Sequence, residues 1–416
     1  MSAPAHLLNF EPTRTELLRR LDAVHPGEYA RTRNALDGAV TGLSPYLCHG
    51  VISLRDAVAR VLQKHRLGYD DKLMFEFAWR EFFHHVWRRE GERVLLDMRP
   101  ANVWAGTYAT ELPADLREGR TGVPVIDAAV RQLYATGYLH NHARMWLASY
   151  AVHLRKVHWR AGADWMYGHL LDGDVPSNHL SWQWVAGTFS SKPYLFNADN
   201  VAKYVPRQGF EAWRAAGTVV DQDYAALEQL ARHADDVGPE PGSHEGVVEP
   251  QLHAAPQPDW IAEHVTPLTT TLPSRREIEL VAPWAMGERE GGAGVGAGGP
   301  WRLGVIHLPA HAALPWSEAR WRWVLQRMGA ITEATFVGDA TTLPNSVRGW
   351  PKPDRVLARR SPMPGYDAAL GTLGELREAT RLLPNPQETC RSFSVFYEAV
   401  KRQSRSLQSQ LNGELF

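Results

Sequence analysis

The sequence predicts a mainly α protein: a helical domain over residues 1–210, an extension and Gly/Pro-rich linker over 211–300, and a small C-terminal α/β domain over 301–416. Three observations carry that reading. Aromatic-rich segments with no Gly, no Pro and no strand alternation recur through the first half. From about Ala234 to Pro300 the composition turns to Pro, Gly, Ser and acids and ends in a glycine run. Beyond that run, apolar stretches of strand length alternate with a helical pattern.

Taken in order, Asp71–Trp87 (DKLMFEFAWREFFHHVW) reads as one helix, and Val125–Thr136 and His140–Trp159 as two more, with Gly137 as the stop between them. In the last third, Arg302–Leu308 reads as a strand, Ser317–Met328 as a helix, Ala334–Val337 and Arg355–Ala358 as strands, and Ser392–Leu411 as a closing helix. No solenoid repeat is present. Gly294, Gly296 and Gly299 match the spacing of a dinucleotide-binding fingerprint. That motif needs a strand before it and a helix after it, so that backbone amides meet a pyrophosphate. Here a linker precedes and a strand follows, and the glycines are read as linker.

The chain has 416 residues, 44% of them hydrophobic and 22% charged, which allows a large core, implies more than one domain and excludes disorder of the whole chain. Cys48 and Cys390 lie too far apart to suggest a ligand pattern. Neither a disulfide framework nor a metal site is expected, and the reducing cytoplasm is the expected location. No stretch approaches the roughly 18 apolar residues of a membrane helix, and residues 1–20 do not read as a signal peptide, so a soluble protein is expected. The net charge of −1 combines a small basic excess before residue 210 with an acidic excess after it. A mildly basic half tolerates nucleic acid as a partner without requiring it. Half of the 16 Trp fall between Trp79 and Trp184.

Arg144 lies in RMW, and LLDGDVPSN clusters Asp172, Asp174, Ser177 and Asn178 between apolar stretches. Such a cluster suits recognition of a polar ring edge or a ribose. If the segment after Pro176 is helical, Asn178 and Trp182 share a face at i and i+4. The same spacing pairs Asn141 with Met145 and groups Glu76, Trp79, Arg80 and Phe83. Core packing around one satisfied carboxylate explains the last group equally well. His307, His311, Trp316, Trp321 and Trp323 read as core or surface.

Four blocks occur together in this order: VTGLSPYLCHGVIS, FEFAWREFFHHV, GRTGVPVIDAAVRQLYATGYLHNHARMWLASYAV and HWRAGADWMYGHLLDGDVPSNHLSWQW. They resemble the FAD-binding domain of the DNA photolyase/cryptochrome family, over about Tyr29 to Tyr204. The resemblance implies a helical domain holding a U-shaped FAD. It places Tyr29, Thr41, Leu43 and Ser44 at the pyrophosphate, with Gly42 where the family has Arg, so that phosphate binding there is either weaker or uses another cation. It places Arg144, Asp172 and Asp174 beside the isoalloxazine and Asn178 facing flavin N5. Asn at that position favours repair over signalling. Leu73 stands where the family has a flavin-side Trp.

The resemblance further implies a pocket for a flipped cyclobutane pyrimidine dimer, built from Glu76, Trp79, Asn141, Met145 and Trp184, because the lesion cannot be reached inside the duplex. Asn141 and Met145 replace the catalytic His of (6-4) photolyases, which points to cyclobutane dimers. His142 stands where many dimer photolyases have Arg. Trp182, Trp159 and Trp104 match an electron-transfer chain from flavin to surface. The activity implied is light-driven repair of dimer-containing DNA, duplex or single-stranded, by electron transfer from reduced FAD. The alternatives are a blue-light sensor of cryptochrome type, and a flavoprotein that binds single strands without repairing them. Typical family members begin with an α/β antenna domain, for which the N-terminal segment leaves no room. An antenna pigment is therefore doubtful, and the α/β unit after residue 300 is either an unrelated appendage or a displaced relative of that domain.

Overall fold

The structure is a computed structural model that describes residues 9–100, 103–240, 244–269, 277–289, 299–350, 352 and 355–403. Gly294 and Gly296 of the glycine run, and residues 404–411 of the closing helix, lie outside the described residues. The chain forms two compact units. Of the described residues, the first comprises Asn9, His25–Val40 and those of 83–251, and the second Phe10–Val24, Thr41–Phe82 and those of 252–403.

In chain order the helices that matter below are α1 (Arg14–Asp22), α2 (Pro26–Thr32), α3 (Ser44–Cys48), α4 (Lys72–Glu90), α5 (Pro124–Thr136), α6 (Asn141–Ser149), α7 (Trp159–His169), α8 (Val175–Ala186), α9 (Tyr224–His233) and α10 (Phe393–Gln403). Helix α4 is the expected Asp71–Trp87 segment. Helix α5 stops at Gly137, whose φ of +64° is the left-handed cap that a residue without Cβ adopts freely.

The first unit packs around a continuous apolar core that includes Ile126, Leu133, Trp146, Leu147, Tyr150 and Trp182. The single helix expected over His140–Trp159 is broken here. After α6 the chain makes a π turn at Tyr150–Leu154 and then leaves the helical path, with Lys156 at φ +50°. Buried Arg155 explains the break: its guanidinium holds Asp115 at 2.5 and 3.1 Å and Asp236 at 2.6 Å. A buried cation is tolerated only when so paired, and satisfying it redirects the backbone. Backbone bonds of 2.8 Å from Ala109 N to Lys156 O and from His158 N to Ala109 O then pin the loop before residue 110 to this stretch.

The second unit contains a five-stranded parallel sheet of β2 (Ile278–Val281), β3 (Trp301–His307), β5 (Ala334–Gly338), β6 (Val356–Arg359) and β7 (Glu375–Arg377), in spatial order β5-β3-β2-β6-β7. A further pair, β1 (Leu252–His253) and β4 (Trp316–Ser317), is antiparallel. Leu280 lies opposite Leu303 on one side and Ala358 on the other. The order turns outward from β2 in both directions, which is the doubly wound arrangement. Strand β2 falls inside the stretch expected to be linker, and it is the central strand. Its short apolar run, Ile-Glu-Leu-Val, is masked in the sequence by the Pro, Gly and acidic residues around it. Among the described residues no helix is long and apolar enough to cross a membrane.

Candidate functional site

In the first unit, α6 begins at a histidine cap. His140 accepts from His142 N at 3.2 Å through Nδ1, and its Nε2 lies 2.9 Å from Arg33 O. The two bonds fix one neutral tautomer, with Nε2–H donating to the carbonyl. Burial pushes the His140 ring down to about 4, in agreement with that assignment. One turn later Arg144 donates from Nε to Leu139 O at 2.9 Å and from Nη2 to both oxygens of Asp172, at 2.8 and 3.0 Å. Asp172 is almost fully buried, and its position is set by the neighbouring bond from Leu171 N to Gly137 O, 2.8 Å.

Asp174 caps α8 by accepting from Ser177 N and Oγ, and His84 Nε2 lies 3.0 Å from the same carboxylate oxygen. This capping role, with an oxygen that accepts the otherwise orphaned first-turn amides, is not visible in the sequence, and neither is the histidine partner from α4. Asn178, in the first turn of α8, donates through Nδ2 to Ala163 O at 2.8 Å. Asn141 and Met145 share a face as expected, with Asn141 Nδ2 3.4 Å from Met145 Sδ. Trp184 is half-buried with its ring 5.8 Å from Tyr194.

His142 behaves otherwise than an arginine would. Its ring sits 4.2 Å from Tyr204, 5.6 Å from His140 and 5.8 Å from Trp146, and burial pushes it down to about 4. It is neutral at physiological pH and supplies no charge to a phosphate.

Known proteins share this stretch of the chain. Residues 73–224 match the family model described as the FAD binding domain of DNA photolyase. A deoxyribodipyrimidine photo-lyase of Streptomyces griseus is 41% identical over 150 residues, covering 36% of this chain and 32% of that protein. The photo-lyase of Escherichia coli is 33% identical over 218 residues, covering 49% and 46%. A cryptochrome DASH of rice is 35% identical over 168 residues, covering 38% and 28%.

Residues 73–224 are similar to the FAD binding domain of DNA photolyase.

The chain spans less than half the length of these relatives. Among solved structures, a Synechocystis cryptochrome matches with a TM-score of 0.42 at 28% identity, covering 49% of this chain and 46% of that one.

Within this stretch the three tryptophans of the expected chain are placed differently. Trp182 is buried, and its ring lies directly on Gly162 of α7: a Cβ added there would come within 2.2 Å of Trp182 Cζ3. Alanine is the better helix former by about 1 kcal/mol, yet Gly162→Ala must push the ring or the helix aside. Overpacking of this kind costs about 1–3 kcal/mol. A lowered thermal midpoint together with a shifted indole fluorescence is the expected result for G162A. Trp159 is buried, and its Nε1–H donates to Asp97 Oδ1 at 2.5 Å. Trp104 is reached from Trp159 through two other rings: His158 at 5.6 Å, then Tyr108 at 6.3 Å, then Trp104 at 5.1 Å.

The remaining expected residues belong to the second unit, apart from Tyr29, which lies on α2 in the first. Thr41 and Leu43 lie ahead of α3, and Ser44 is its first residue. Leu43 N bonds Thr41 Oγ1 at 3.3 Å, a side-chain turn that sets the loop. Gly42 has a φ of +60°, and a Cβ there would meet Arg20 Nη1 of α1 at 2.3 Å. The guanidinium of Arg20, buried and ion-paired to Glu16 at 2.7 Å, thus fills the space that a side chain at position 42 would take. The loop, which has Gly42 where the resemblance places an arginine, has a cation beside it from another element. These residues fit the phosphates of an FAD, whose acidic oxygens Arg recognises through its planar fork.

Leu73, which stands where the family has a flavin-side Trp, is buried core. On α4, Glu76 and Trp79 lie one turn apart and are partly buried. Trp79 does not present both ring faces. Phe393 of α10 stacks on one of them, with centroids 4.1 Å apart and planes 7° from parallel. Nothing near Trp79 in the sequence announces a partner more than 300 residues away. Among the described residues no cluster of three or more His, Cys, Asp or Glu is positioned to hold a metal ion.

Proposed function

We propose that this protein repairs cyclobutane pyrimidine dimers in DNA, driven by light, with reduced FAD as the electron donor. The observation that supports the reading best is the ion pair of partly buried Arg144 with buried Asp172, held by Leu139 O and set beside the α6 face that carries Asn141 and Met145. FAD, when bound, supplies light absorption and the electron. The chain supplies the rest. Arg144 and Asp172 present fixed hydrogen-bonding groups to a polar ring edge. Asn178, tied to Ala163 O, holds its amide in one orientation. Arg20, Thr41, Leu43 and Ser44 hold phosphates, and Glu76 and Asn141 bond base edges.

An open cleft of about 560 Å³, lined by Arg99, Ser190, Ser191, Lys192 and Arg232 among others, begins just beyond the C-terminal end of α8. Its cations and hydroxyls suit backbone phosphates of DNA, whose binding is then salt-dependent.

Two variants separate cofactor from substrate. Glu76→Ala retains flavin, while light-driven repair falls about 10- to 100-fold, the loss of a charge-assisted hydrogen bond of about 1.5–3 kcal/mol. Unchanged repair in E76A would remove Glu76 from the pocket. Arg20→Met weakens FAD binding, measured by flavin fluorescence titration, by about tenfold or more, and Arg20→Met/Gly42→Arg restores it by returning the cation to the loop. No rescue by the second change would show that Arg20 acts on the fold and not on phosphate.

A blue-light sensor without repair is the second reading, and Phe393 favours it, because it occupies a face of Trp79 that a stacked base would use. Phe393→Ala separates the two: dimer binding that appears only in F393A supports the sensor, and binding already present in the parent supports repair.

A further inference from the structure

Resting on the reading of Trp182 and Trp159 as electron donors to a photoexcited flavin, we propose that oxidation stops at Trp159, with Asp97 as the acceptor of its indole proton, and that Lys156 closes the onward route to Trp104. Two opposite environments at the two indoles carry this.

Trp159 donates its N–H along a 2.5 Å bond to Asp97 Oδ1. Losing an electron makes an indole far more acidic, and the proton then has a carboxylate already in place. With FAD bound, Trp182 would supply the electron that light excitation of the flavin draws, and Trp159 would then give one electron to oxidised Trp182. The N–H bond breaks, the proton moves to Asp97, and a neutral indolyl radical and a carboxylic acid result. Asp97 has about two-fifths of its side chain exposed, so the acid releases its proton to water.

Trp104 faces the reverse. Lys156 Nζ lies 5.2 Å from its ring centroid. The ammonium is fixed there by His153 O at 2.7 Å, Ala231 O at 2.8 Å and Leu230 O at 3.0 Å, the last two being the C-terminal carbonyls of α9. Carbonyls at a helix C-terminus carry partial negative charge and favour a cation. Burial pushes the amine down to about 8, which leaves it mostly charged at neutral pH. A cation over a neutral indole is attractive, but over an oxidised indole it becomes like-charge repulsion. Trp104 is therefore the harder of the two indoles to oxidise, and Tyr108, whose hydroxyl is pushed up by burial and by Asp97, offers no easy relay.

The test is a blue flash on the flavin-loaded protein, followed by time-resolved absorption and electron paramagnetic resonance of the tryptophan radical. The parent gives a neutral radical at Trp159. Trp104→Phe gives the same radical with the same yield, and Trp159→Phe lowers the yield at least tenfold. Asp97→Asn, close to isosteric, gives a radical cation in place of the neutral species, with a lifetime shortened about tenfold or more. Lys156→Met opens Trp104, seen as a radical that Trp104→Phe then removes. Lys156 also ties three carbonyls, so W104F and D97N decide the matter even where K156M fails to fold. A W104F protein that loses its radical as W159F does overturns the proposal and leaves the electron-donor reading standing. A W182F protein with undiminished radical yield overturns that reading itself, and a chain that binds no flavin overturns both.

Discussion

Arg144→Ala leaves the protein unable to retain flavin and destabilises its first unit by about 3–5 kcal/mol, because the change strands the buried carboxylate of Asp172 without its cation. The loss exceeds that of an exposed pair, which is worth about 0–1 kcal/mol, since water reaches only a few per cent of the Asp172 side chain. Arg144→Lys keeps a charge but not the bond from Nε to Leu139 O, and falls between. The double variant Arg144→Met/Asp172→Asn recovers most of the stability, since no buried charge is left alone, and still binds no flavin. Urea unfolding and the ratio of flavin to protein absorbance read the two quantities separately. If the double variant bound flavin normally, the pair would be scaffolding and not a ring-edge contact.

Acid unfolds the first unit earlier than its carboxylates alone require. His140 and His153 are both held down to about 4 by burial, against 6.5 for an exposed imidazole. Each is neutral when folded and takes a proton on unfolding below about pH 6.5. Their contribution is complete above 6.5, is lost as the pH falls to 4, and changes no further below that. Each is worth about 3 kcal/mol across this window. His153→Gln, which can still donate to Val185 O, removes its share of the decline. Unfolding midpoints in urea at pH 7.5, 5.5 and 4.5 measure it, and equal slopes for parent and H153Q would contradict the assignment.

What can be read from the sequence follows from local pattern. Helix α4 is legible because 17 residues without Gly or Pro leave few alternatives, and Gly137 marks the end of α5 because only a residue without Cβ adopts its left-handed cap cheaply. The i and i+4 pairing of Asn141 with Met145 needs nothing beyond helical geometry. Contacts over long sequence distances are not legible. Arg20 lies at the loop only because α1 brings it to Gly42, and Phe393 covers Trp79 across most of the chain. Lys156 and Asp97 lie against indoles that the sequence marks, yet neither charge carries a local sign of that contact. Strand β2 is lost for a different reason: four apolar-to-mixed residues inside a polar stretch carry too little periodicity to stand out.

Whether the chain repairs DNA is decided by blue-light treatment of an oligonucleotide carrying a single thymine dimer, with the purified and photoreduced protein. A dark control and a (6-4) substrate run beside it. Restored thymines are expected for the cyclobutane dimer in the light, with none in the dark and none for the (6-4) lesion. A flavin-loaded, photoreducible protein that restores neither lesion would refute the repair reading.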